Sequence, residues 1–149
     1  MLRRTPWITC ALAVLGLAAS RATPAAAQDE GYVVIINTAN PVASLTRAQV
    51  ADIFMKHTTR WEHGGDIHPV DQPAVAVVRD AFSRAVHGKP ASAVASWWGQ
   101  QMFSGRAVPP PQRATDRAVV TFVREDALAI GYVSPGTAGQ EVKVLRITP

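Results

Sequence analysis

Asp71, Gln72 and Arg79 share one nine-residue stretch, and their types suit the recognition of a small oxyanion. Val70-Asp71-Gln72-Pro73-Ala74 reads as a turn that leaves a strand and enters a helix. Ligands of α/β sheets collect at the carboxyl ends of strands, and a helix N-terminus there offers free backbone N–H groups to an anion. A guanidinium such as that of Arg79 can make a bidentate pair with an oxyanion. A small-anion site on this plan gathers Asn37, Gln72, Arg79 and Arg106 around one cavity, backbone amides pointing in. Two residues oppose it. Pro73 removes an N–H donor, and Asp71, when ionised, only accepts hydrogen bonds and repels an anion. Other fates stay open: Asp71 satisfying the donors of an ordinary helix-entry turn, and Arg79 pairing with Asp71 or Asp80 or lying in solvent. The candidate ligand-binding residues are thus Asn37, Asp71, Gln72, Arg79 and Arg106.

Other chemistries find less support. His57, His63, His68 and His87 fall in a loop, the same loop, a strand and a helix end, which matches no compact metal-ligand spacing. His87 reads better as a cation near a helix C-terminus. No Gly-x-Ser-x-Gly elbow is present, and Glu125 and Asp126 merely end a helix, so the reading is not an enzyme and needs neither cofactor nor metal. Trp97 and Trp98 are neighbours on a helix, so one packs and the other lies at an edge or in a groove.

These side chains need elements to hold them. Tyr32-Val33-Val34-Ile35-Ile36-Asn37 is a continuous apolar run, as in a strand buried on both faces. A helix follows from Thr46 to Lys56: Thr46 caps it, Gln49 completes a capping box, and Leu45 and Val50 take the staple positions. The polar loop His57 to Gly65 holds Trp61, and Ile67 to Val70 is a second short strand. The spacing predicts a helix from Val75 to His87, with Val75, Val78, Phe82, Ala85 and Val86 inward and Arg79, Asp80, Ser83 and Arg84 outward. A third helix, Ser92 to Phe103, carries Val94, Trp97, Trp98 and Met102 and runs into a proline-rich loop through Pro111. Thr115 caps a fourth helix to Glu125, with Val119, Phe122 and Val123 inward. Strands Ile130 to Val133 and Val142 to Ile147 close the chain. Alternating strands and helices predict one α/β domain with a small, mostly parallel or mixed sheet flanked by helices.

Leu45 to Met55, containing Thr46-Arg47-Ala48-Gln49-Val50-Ala51-Asp52-Ile53-Phe54, then Trp61, then Ala129-Ile130-Gly131-Tyr132-Val133-Ser134, occur in an order that resembles one lobe of the phosphate-importer class of periplasmic binding proteins. The resemblance covers Tyr32 to Ser134. It implies a type II binding-protein lobe, a small anion such as phosphate as ligand, and an ABC importer as the transport partner. In that family two lobes close on the ligand like a clamshell, in chains of roughly twice this length; here one lobe is expected. The family's Gly-Ser-Gly-Thr element, which grips phosphate, has no match in Gln72-Pro73-Ala74-Val75-Ala76.

Residues 1–27 read as a secretory signal: Arg3 and Arg4, the apolar run Trp7 to Ala19, then Ala25-Ala26-Ala27. The thirteen-residue run is short of the roughly twenty needed to span a bilayer, so the membrane is met only through the cleaved signal. Residues 28–149 form a single domain, whose location is the periplasm. Cleavage removes Arg3, Arg4 and Arg21 from 15 basic residues and none of 11 acidic ones, leaving a formal charge of +1 rather than +4. Nucleic-acid binding by a basic face therefore loses its motive. Cys10, the one cysteine, leaves with the signal.

The sequence predicts a solute-binding-protein-like module for a small anion, part of or derived from an ABC import system. The alternative is a non-enzymatic interaction component of an envelope transport or sensory system. That second kind of module would expose an apolar patch around Trp98, Val108 and the three prolines.

Overall fold

A computed structural model describes residues 30–149. The expected signal, residues 1–27, lies outside the described residues. Eleven elements follow in order, ten of them strands and α-helices: β1 (Val33–Ile36), β2 (Ser44–Thr46), α1 (Arg47–Phe54), β3 (His68–Pro69), α2 (Val77–Phe82), α3 (Ala91–Phe103), α4 (Asp116–Glu125), β4 (Ala129–Val133), β5 (Lys143–Val144) and β6 (Arg146–Thr148). The remaining one is a π-helical segment, Ser83–His87, which continues α2.

The main sheet has the order β3-β4-β1-β5 and is mixed: β1 runs antiparallel to β4 and β5, while β3 is parallel to β4. The expected apolar run becomes one of its two inner strands, buried at every residue. Alternation sends Val34 and Ile36 to one face, with Phe54, Phe82 and Tyr132, and Val33 and Ile35 to the other, with Val119, Val120 and Val123 of α4. The sheet thus lies between α1/α2 on one side and α4 on the other. Gly131 lets α4 close on β4, since a Cβ there would stand 2.7 Å from Val119 and 2.8 Å from Val70.

Helix α1 starts as the sequence predicts. Thr46 Oγ1 accepts from the Gln49 N–H at 3.1 Å, and Gln49 Oε1 accepts from the Thr46 N–H at 2.8 Å. It ends in a Schellman motif, with the N–H of His57 on the Asp52 carbonyl and the N–H of Lys56 on the Ile53 carbonyl. Trp61 is buried, and its Nε1 donates to the Leu128 carbonyl at 3.0 Å, pinning its loop to the entry of β4.

The second helix differs from expectation. Pro73 opens a turn closed by the Ala76 N–H on the Pro73 carbonyl, so α2 begins only at Val77. Val75 is then 93% exposed, not inward, while Arg79 and Ser83, expected to face away, are buried. Val78, Phe82 and Val86 are buried as expected and Ala85 packs on the same core, so the inward face is widened by Arg79 and Ser83, and the π turn carries it on to Val86. The expected last strand is split at buried Leu145, whose N–H reaches Val34: β5 joins the main sheet, and β6 pairs in parallel with β2.

Candidate functional site

Arg79 is carried under the sheet by the late start of α2, and it meets the turn that leaves β3. Asp71, Gln72 and Arg79 are each at most 3% exposed. The Arg79 guanidinium pairs with Asp71 Oδ1, and the hydroxyl of Tyr132 donates to the same oxygen. The backbone N–H of Gln72 reaches that oxygen too, at 2.8 Å. Three donors, from α2, from β4 and from the turn itself, therefore converge on one carboxylate oxygen. Tyr132 arrives from β4 with its ring stacked on Phe82, 3.9 Å between centroids and 3° from parallel. Its phenol is pushed up to about 12, chiefly by burial, so it keeps its proton and donates. Burial likewise pushes the Arg79 guanidinium down from its usual range. Asp80 does not compete for Arg79: one oxygen receives Arg84 Nε at 2.6 Å and the other the Ala91 N–H at 2.9 Å, at the start of α3.

Gln72 extends the cluster. Its Nε2 donates to Asp116 Oδ1 at 2.8 Å and to the Tyr132 carbonyl at 3.1 Å. Burial alone would raise the Asp116 carboxyl, but hydrogen bonds from Ser134, Gln72 and Thr137 outweigh it and hold the group below its usual range. The turn after β3, the first turn of α4 and the end of β4 are thereby tied together. Asp71 also pairs its backbone with the proline-rich segment, donating to Pro111 and accepting from Arg113, both at 2.9 Å.

The structure brings Asp71, Gln72 and Arg79 into one cluster and leaves Asn37 and Arg106 out of it. Asn37 is buried with its amide on the carbonyls of Val123 and Arg124 at 2.9 and 2.8 Å, closing the C-terminus of α4. Arg106 is exposed beyond the end of α3. Tyr132 and Asp116 are the members that the candidate list lacked. A buried tyrosine needs a partner for its hydroxyl, and Ile130 and Tyr132 alternate onto the same face as Phe82, so the signal was in the strand itself.

Clefts of about 280 and 350 Å³ open on the described surface, and none of the five candidate residues lines either. The larger lies between α1, the π segment and α3, where His87 is pushed down to about 4 by burial and by the charges of Arg79 and Lys89. His87 is therefore a neutral imidazole at neutral pH, not the helix-end cation its position suggests. Trp98 is buried and Trp97 half-buried, so Trp98 cannot take part in an exposed patch. Met102, Phe103 and Val108 are exposed. Among the described residues no His, Cys, Asp or Glu group gathers as a metal set, and no helix is long and apolar enough to cross a membrane.

No protein-family model and no curated protein matches the chain. Solved structures do. An ABC-type phosphate transport receptor from Vibrio cholerae is similar at TM-score 0.60 and 22% identity, over 78% of this chain and 46% of that one. A protein described as a phosphate ABC transporter substrate-binding protein with bound phosphate, from Clostridium perfringens, is similar at TM-score 0.63 and 25% identity, over 78% and 44%. A possible phosphate binding protein from Planctomyces limnophilus reaches TM-score 0.60 at 18% identity, over 79% and 41%. The chain spans less than half the length of these structures and has the fold of a lobe-sized part of them.

Proposed function

From the fold of a lobe-sized part of the phosphate-importer binding proteins, we propose that the chain is a non-enzymatic, periplasmic solute-binding-protein-like module that works with an envelope transport partner and does not carry free phosphate. One observation supports this above the others. The place where Arg79, Tyr132 and the Gln72 N–H would hold an anion is filled by the protein's own Asp71, at most 3% exposed. A second charge beside that carboxylate would be repelled, and with Asp71 in place the buried cluster leaves no room for one. In this reading Asp71, Gln72 and Arg79 form the former ligand wall, Asn37 closes α4, and Arg106 serves a partner surface.

Exposed Met102, Phe103 and Val108, which end α3 and follow it, favour the interaction reading over the carrier reading. Calorimetric titration of the protein with phosphate tests the proposal. The expected dissociation constant is no tighter than about 0.1 mM, or about −5.5 kcal/mol. Micromolar affinity would overturn it.

A further inference from the structure

We propose that Asp71 is a resident ligand: its carboxylate fills an oxyanion cradle made by the Arg79 guanidinium, the Tyr132 hydroxyl and the Gln72 N–H, and so closes that cradle to free anions. The inference rests on the reading above, that the wild-type chain does not take up free phosphate, and adds that the cradle itself still suits a small oxyanion once the Asp71 carboxylate is removed.

Two features separate this from an ordinary structural ion pair. Convergence is the first. A buried carboxylate normally spreads its donors over both oxygens, which together offer about four acceptor sites; here a guanidinium, a phenol and a backbone amide all address Oδ1. Surplus is the second. Arg79 Nε and Ser83 Oγ are buried without a hydrogen-bond partner, on successive turns of the same helical face. Buried polar groups are nearly always satisfied. The helix thus buries more donor capacity than Asp71 consumes, as expected of a wall that suits an anion with more oxygens than one carboxylate. The ligand class is accordingly a small oxyanion, either carboxylate or phosphate in form.

The test removes the resident group from the full chain and asks whether an anion from solution takes its place. Asp71→Ala vacates the space of a formate ion beside a guanidinium that has lost its counter-ion. Melting temperatures are measured in formate, phosphate and chloride at equal ionic strength. Asp71→Ala should melt below wild type in chloride and regain at least half of that loss in formate or phosphate, counted as the response in excess of the general salt effect that wild type shows. Adding Arg79→Met to Asp71→Ala should abolish the response; a response that persists without Arg79 overturns the proposal, because the anion then binds elsewhere. Asp71→Ser, which leaves a hydroxyl for the cluster, gives the reading if Asp71→Ala does not fold. A response of the folded variant no larger than the salt effect on wild type overturns the proposal. Tight phosphate binding by wild type would instead overturn the functional reading, whatever the variants do.

Discussion

His87 ends the π segment with its ring edge against Phe82, 5.7 Å between centroids. Burial, then Arg79 and Lys89, push its imidazole down to about 4 from 6.5. A histidine with a depressed folded value contributes stability that is present above about pH 6.5 and lost as pH falls toward 4, because the unfolded chain takes up the proton first. Thermal melts of wild type should therefore decline through that window, and His87→Gln should lack this part of the decline. Imidazole titration by NMR checks the same group directly: a midpoint near 6.5 for His87 in the folded protein would contradict it. Gly131 gives a prediction of the opposite kind, steric rather than electrostatic. A methyl there would meet Val119 at 2.7 Å, Val70 at 2.8 Å and Val123 at 3.3 Å. Gly131→Ala should destabilise by about 1–3 kcal/mol through overpacking, measured by denaturant melts.

At the scale of elements, α1 carries a favourable start and an unfavourable stop. Thr46→Ala should cost about 1 kcal/mol by orphaning the Gln49 N–H, while Thr58→Ala in the following loop, exposed, should be near neutral. The stop places Lys56 at φ 57°, where a side chain is strained and glycine is usual. Lys56→Gly should stabilise by about 0.5–1 kcal/mol, read from the same melts. The start of α1 was legible because capping depends on residues three apart in sequence. The same holds for β1, whose four apolar residues announce burial on both faces, and for Thr115, which caps α4. The face of α2 was legible only in part: Val78, Phe82 and Val86 are buried as their spacing predicts, whereas Val75 is exposed and Arg79 and Ser83 are buried. A 3.6-residue period drawn from Val75 assumes that the helix starts there, and Pro73 delays it to Val77. The π segment then changes the period itself, and no local residue type announces it. Asp71 and Gln72 could be picked as chemistry-bearing residues, but their partner Tyr132 lies sixty residues away, and only the parallel β3–β4 pairing brings it near.

Across the whole molecule, the polar cluster and the apolar ledge are separate resources. The cluster ties the turn after β3 to α4 and β4, whereas Phe103 at the end of α3 is 97% exposed and contributes little to the fold. Phe103→Ser should leave stability within about 0.5 kcal/mol of wild type. A larger loss in denaturant melts would mean that the ledge is part of the core. The main sheet's margins have a consequence for behaviour at high concentration. Its two outer strands, β3 and β5, are only two residues long, and one of the residues of β3 is Pro69, which has no N–H. A sheet edge recruits another chain through a row of free amides and carbonyls, and short or proline-bearing edges deny it that row. The most amyloid-like sequence here, Val33-Val34-Ile35-Ile36, sits in β1 with a partner on either side. While the fold is intact, the segment best suited to stacking into fibrils is paired along all of one side and most of the other, and its hazard lies in the unfolded chain.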